Sequence, residues 1–165
     1  MIILKIKIID ENNFILFIID SKMIPNVNCE KELSEYLKNI FEKIKDRYKF
    51  EVCGYYDVII YINKIYGMII KLKKEDSEYL DYNKQIEMKI VIEDNNVILY
   101  KINDFDDLDK NILLNSNIYL YDKELYLELT DSLEFILLGQ LLEFADIVFE
   151  NTEFIKKRGE KIEIG

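Results

Sequence analysis

Apolar and polar residues alternate at the start of the chain, with Ile2, Leu4, Ile6 and Ile8 on one side and Lys5 and Lys7 on the other. A period of two sends successive side chains to opposite faces of a strand, so Met1–Asp10 is expected to be a half-buried strand. Asp10-Glu11-Asn12-Asn13 is a turn signal. Phe14–Ile19 is apolar on both faces and is expected to return as the second arm of a hairpin. A loop with the only proline, Pro25, comes next, then Asn28 as a helix N-cap with Glu30 and Glu32 in the first turn, where the helix dipole favours acid. The period then changes to 3.6. Leu33, Tyr36, Leu37, Ile40, Phe41, Ile44 and Tyr48 form one stripe, and Glu and Lys fill the opposite face. This predicts a long amphipathic helix that packs its stripe on the sheet of the first half.

Gly54 marks the next turn. Val58, Ile60 and Ile62 alternate with Ile59, Tyr61 and Asn63, Lys64–Gly67 reads as a turn, and Met68–Leu72 returns as a strand. Asp76–Gln85 is polar with Tyr79, Leu80 and Tyr82 embedded, and is the candidate boundary. Beyond it, Ile86, Met88, Ile90 and Ile92 alternate with Glu87, Lys89 and Glu93, and a hairpin with Val97–Ile102 is expected across Asp94-Asn95-Asn96. Asp104–Asp109 is expected to open a short helix. Ile118–Tyr121 and Leu125–Leu129 predict a hairpin around Asp122-Lys123. Ser132 is the expected cap of a helix carrying Leu133, Ile136, Leu137, Leu141 and Phe144, within which Gly139 costs about 1 kcal/mol relative to alanine. Ile147–Phe149 reads as a strand, Thr152–Lys157 as a last helical turn with Gly159 as its C-cap, and Lys161–Ile164 as a closing strand.

These elements predict an α+β protein of antiparallel sheets, with one long amphipathic helix in the first half and one or two shorter helices in the second. The expected organisation is a ββαββ half over 1–78, a short link over 79–85 and an acidic α+β half over 86–165, the two halves being separate or packed as one domain. Composition agrees with a folded chain: 50% of the residues are apolar and 33% charged, and the two classes are interleaved. The bias towards Ile, Lys, Asn, Glu and Tyr is that of an AT-rich bacterial or phage genome.

Charge changes the picture more. Up to residue 80, 13 basic and 13 acidic residues cancel; from residue 81, 9 face 19, so the whole net charge of −10 lies in the second half. Such a surface repels duplex nucleic acid, whose binding depends on phosphate neutralisation, and attracts a basic protein partner. Solubility alone is the other explanation of the same acids. No apolar stretch approaches the roughly 18 residues of a membrane span, and no secretory leader is expected, so the cytoplasm is the expected compartment. Cys29 and Cys53 are then expected to be buried, inert thiols.

The chain has no His, which removes the commonest general base, the commonest metal ligand and any Ser-His or Cys-His pair. Lys, Tyr and carboxylates remain available for chemistry. The Asp104, Asp106, Asp107, Asp109 cluster invites a metal, but the Ca2+-loop pattern fails: Asp109 stands where Gly is needed and Asn115 where Glu is needed. A capped helix start accounts for the same residues. The five glycines are scattered, with no phosphate loop, and no C-x-x-C pair is present. No cofactor and no catalytic set is expected. Tyr55, Tyr56, Tyr61 and Tyr66 could stack bases, yet the basic residues nearby are balanced by acid, so packing and protein contact are the expected roles.

Several stretches resemble the MecA family of adaptors for the AAA+ unfoldase ClpC. "LYKINDFDDL" (Leu99–Leu108), "IYLYDKELYLEL" (Ile118–Leu129), "LLEFA" (Leu141–Ala145) and "TEFIKKRGEKI" (Thr152–Ile162) fall in the order of that family's C-terminal domain. The helix Leu33–Tyr48 followed by "FEVCGYYDVIIYINKIYGMIIKLKK" (Phe50–Lys74) is similar in layout to its N-terminal domain. The resemblance implies a non-enzymatic adaptor in which one half holds a client protein and the other docks on the unfoldase. Glu143, Asp146, Glu150 and Glu153 flank the stretches that carry it and are the candidate partner-binding residues. The rival expectation is a structural subunit of a homo-oligomer, a homodimer included, or of a larger assembly; an enzyme using Lys, Tyr or carboxylates is third.

Overall fold

The computed structural model describes residues 4–18, 29–48, 54–63, 65, 67–75, 86–94 and 97–163. Pro25, Asn28 and Cys53, and the segment 76–85, lie outside them. The chain is α+β and folds as two compact units, with the main boundary after Asp94.

The first unit contains β1 (Leu4–Ile8), β2 (Asn13–Ile18), α1 (Glu30–Tyr48), β3 (Gly54–Asn63), β4 (Gly67–Glu75) and β5 (Ile86–Asp94). Its sheet has the order β1-β2-β4-β3-β5. The β1–β2 hairpin is antiparallel, with Ile6 opposite Leu16. Asp10 sets its turn: the Asp10 carboxylate accepts from the Asn12 and Asn13 backbone N–H groups at 2.8 and 2.9 Å. Those bonds hold the Asp10 carboxyl below its usual range. Even-numbered residues of the strands meet α1. Leu16, Val58, Ile60 and Ile70 are buried against Leu37, Ile40 and Ile44 of the helix stripe, and the Phe14 and Tyr56 rings meet edge to face at 5.9 Å. The packing of that stripe is thus as its period of 3.6 predicts. The opposite face also buries Ile15, Phe17 and Ile69.

One pairing departs from expectation. Ile86–Asp94 does not form a hairpin with the following strand; it joins the first sheet as β5, parallel to β3, with Asp57 opposite Lys89 and Ile59 opposite Val91. Alternation decides which face each side chain takes, but it is blind to the partner strand. A parallel neighbour needs a crossover, and 76–85, which reads as a link, is the segment between β4 and β5.

The second unit contains β6 (Leu99–Ile102), α2 (Lys110–Leu114), β7 (Ser116–Tyr121), β8 (Glu124–Leu129), α3 (Phe135–Phe144), β9 (Ala145–Val148), α4 (Thr152–Arg158) and β10 (Glu160–Ile162). The sheet order is β10-β7-β8-β6-β9, all antiparallel. The β7–β8 hairpin turns at Asp122-Lys123, both with positive φ (49° and 65°), the two-residue turn whose twist matches paired strands. Tyr100, Leu127 and Ile118 stand in one row across β6, β8 and β7 and are buried with Leu108, Ile112, Leu138 and Leu141. Ser132 does not cap α3: the helix starts later, at Phe135, with Glu134 at the N-cap, and the Ser132 N–H is instead taken by the Asp131 carboxylate. At the far end Gly159 ends α4, its N–H bonded to the Ile155 carbonyl at 2.7 Å.

Candidate functional site

The second unit holds most of the net negative charge: residues 95–165 carry 15 acidic and 7 basic side chains, a net of −8. The four carboxylates singled out from sequence are all exposed. Glu143 lies on α3, on the turn that buries Leu141 and Leu142. Asp146 points outward from β9, the edge strand, where it accepts from the Asn103 side-chain amide at 3.2 Å and faces Lys101 in register. Lys101 itself reaches Glu124 at 3.7 Å. Glu150 stands between β9 and α4, and Glu153 in the first turn of α4. Because α4 packs on β7, with β6 and β8 between β7 and β9 in the sheet, the four are spread from the β9 edge towards β7 rather than gathered at one point.

What holds α4 in place is a polar network on that face. Lys156 Nζ meets Glu128 Oε2 at 2.7 Å. The Tyr119 hydroxyl and the Asn117 amide both approach Glu128 Oε1, each at a long 3.5 Å. Asn117, Tyr119 and Glu128 lie on adjacent strands, Asn117 directly opposite Glu128. Its bond to Glu128 pushes the Lys156 ammonium above its ordinary pKa. Burial, and secondarily the Glu128 charge, push the Tyr119 phenol upward. Both shifts favour the ion pair with a neutral tyrosine beside it, which fastens α4 to the sheet. Beyond it, Phe154 packs edge to face on Tyr121 at 5.9 Å and carries the Arg158 guanidinium 5.5 Å above its ring.

The Asp104–Asp109 loop resolves into a cap. The Asp109 carboxylate accepts from the Asn111 N–H at 2.8 Å and opens α2, while its own N–H is taken by Gln140 Oε1 at 3.0 Å, tying α2 to α3. Asp107 is held above the usual carboxylate range by its hydrogen bond to Asp104 and by that neighbour's charge. Among the described residues no group of three Asp, Glu, Cys or His side chains is placed to hold a metal ion.

The strand pairing also assembles a site that sequence reasoning missed. A shallow groove of about 300 Å³ crosses the face of the first sheet away from α1, with Lys71 and Lys73 from β4, Asp57 and Ile59 from β3, and Lys89 and Val91 from β5 on its walls. In the sequence Lys89 reads as the polar side of its strand, while Lys73 lies beyond the predicted strand Met68–Leu72. Only the order β4-β3-β5 brings them together.

No protein-family model matches this chain, and neither does any curated protein or solved structure. No helix among the described residues is long and apolar enough to cross a membrane.

Proposed function

We propose that the protein is a non-enzymatic adaptor: its acidic second unit docks on a basic site of a ClpC-type AAA+ unfoldase, and its first unit holds a client protein. The observation that carries the reading is the concentration of net negative charge in one compact unit, net −8 over residues 95–165, with Glu143, Asp146, Glu150 and Glu153 all exposed. A second point supports it. The stretches that resemble the adaptor family's C-terminal domain fall within this unit in chain order: β6 and the loop before α2, the β7–β8 hairpin, the end of α3, then α4 with β10. Rim carboxylates act on association rate and its salt dependence more than on the lifetime of a complex. The full chain with Glu150→Lys and Glu153→Lys should therefore bind the N-terminal region of a ClpC-type unfoldase with a slower on-rate and a flatter salt dependence between about 50 and 300 mM. Surface plasmon resonance reads both. Absence of binding by the unaltered chain removes the adaptor reading.

A homo-oligomer subunit is the second reading, favoured by the outer strand β5, where Val91 and Ile92 are 43% and 36% exposed on opposite faces. Sedimentation of the full chain decides it: a concentration-dependent rise in mass supports a self-associating subunit, and a monomer throughout removes it.

A further inference from the structure

Among the described residues β5 is paired on one side only, with β3, and ends the order of its sheet. Its nine residues keep unbroken register with β3 from Ile86 to Asp94, with no bulge to bend the outer edge away. The outward backbone groups therefore form an intact row of donors and acceptors, the kind of edge that natural sheets shorten, bulge or cover. The other sheet edges are shorter: β1 has five residues, β9 four and β10 three. β5 also leaves apolar side chains in water on both faces, Val91 on one and Ile92 on the other. On the α1 face, Met88 and Ile90 are only partly buried against the core. A long regular edge with uncovered hydrophobics on both faces fits an added strand.

The order of side chains along β5 selects which strand. When two copies of one strand pair antiparallel about a two-fold axis normal to the sheet, opposed residues share a face, so their numbers are both odd or both even. Few registers remain. With Ile90 opposite its own copy, Glu87 meets Glu93 twice; with Lys89 opposite its own copy, two ammonium groups meet. With Ile92 opposite its own copy, Val91 meets Glu93 and Lys89 passes the end of the strand. With Val91 opposite Val91, Lys89 meets Glu93 twice and Ile90 meets Ile92 twice. That register alone sets opposite charges and β-branched pairs directly across the junction, each of which stabilises a sheet, and avoids like charges. Lys89 then lies between Asp57 of its own β3 and Glu93 of the second copy. We propose that β5 pairs antiparallel with β5 of a second copy of this chain, Val91 opposite Val91, joining two five-stranded sheets into one of ten. The proposal deepens the self-association reading above and rests on it; unfoldase docking by the second unit is independent of both.

The test is sedimentation equilibrium of the full chain between about 1 and 200 μM, where a self-associating protein gains mass with concentration. The unaltered chain should pass from monomer to dimer. Glu93→Lys sets a lysine against Lys89 in both symmetric pairs and should raise the dimer dissociation constant at least about tenfold. Adding Lys89→Glu exchanges the two charges and should bring the constant back towards that of the unaltered chain. A second readout fixes the register without altering charge. Val91 is the one residue of β5 that meets its own copy, and directly opposed Cα atoms of an antiparallel pair lie about 4.5–5.5 Å apart, within reach of a disulfide. Val91→Cys should therefore give a covalent dimer on mild oxidation that the unaltered chain does not give. Ile92→Cys, whose opposite number is Ile90, should not. A monomer at every concentration overturns the proposal together with the subunit reading. Self-association that Glu93→Lys leaves intact, with no Val91→Cys cross-link, overturns the β5 junction alone and leaves the subunit reading standing.

Discussion

Lys156 of α4 and Glu128 of β8 meet at 2.7 Å and are the one charged link that ties the last helix to the face of its sheet among the described residues. Their side chains are 27% and 19% exposed, enough water to screen the pair but too little to solvate either partner fully if the other is lost. Glu128→Gln should therefore destabilise the protein by about 1 kcal/mol, read as a fall of roughly 2–4 °C in melting temperature. Lys156 is raised in the fold, so its contribution is fully present below its ordinary pKa of 10.5 and is lost as pH rises through the higher folded value. The melting difference between Glu128→Gln and the unaltered chain should hold from about pH 7 to 10 and shrink only above that window.

The Asp104–Asp107 contact predicts a pH dependence of the opposite origin. Asp107 lies above its ordinary value of 3.8 because a carboxylate stands beside it. The folded chain therefore holds this proton more tightly than the unfolded chain, and stability falls as pH rises through the interval between the two values. Asp107→Asn removes the repulsion. It should melt higher than the unaltered chain near neutral pH, and the gap should close as pH drops below 3.8. A variant that melts lower near neutrality refutes this account of the loop.

Ile40 is 2% exposed at the centre of the α1 stripe. Ile40→Asp both deletes a packed side chain and places a carboxylate among Leu16, Val58 and Ile70. The expected cost is at least about 4 kcal/mol, a large share of the stability of an ordinary domain. Urea unfolding followed by circular dichroism should show the helix lost at far lower denaturant.

At Gly159 a Cβ would stand 2.7 Å from the Ile155 carbonyl oxygen and 3.3 Å from that of Leu120, both backbone atoms. Its φ of −74° is ordinary, so the demand for glycine here comes from close approach and not from conformation. Gly159→Ala should cost about 2 kcal/mol through displacement of α4 or β10, and thermal melting checks it. A neutral effect would mean that the α4–β10 corner yields without strain.

Local features were legible wherever the physics is local. The 3.6 spacing from Leu33 to Ile44 specified α1 and its buried face, because a helix's facing residues are set by its own period. Asp10 and the Asp122-Lys123 pair announced their hairpins, since a tight turn is made by the residues that form it. The start of α3 was misplaced because Ser132 has the chemistry of a cap, yet the helix opens at Phe135 behind Glu134, which makes no side-chain cap bond, so no local capping signal marks the true start. The candidate acids from Glu143 to Glu153 could be singled out from charge and resemblance, and their exposure was open to inference from charge alone.

Strand partnership is a different matter. The alternation from Ile86 to Glu93 determined by itself that a strand forms here and that Lys89 and Val91 share a face. It carried no information on whether the neighbour would be β3 or β6, because backbone hydrogen bonds are the same with either. Only the tertiary structure set β5 parallel to β3, moved the boundary of the first unit to Asp94 and carried Lys89 to the groove that Lys73 borders. Charge along the chain is a property of the sequence; which charges stand together, and which remain without a bonded counter-charge, depends on contacts between residues far apart in it.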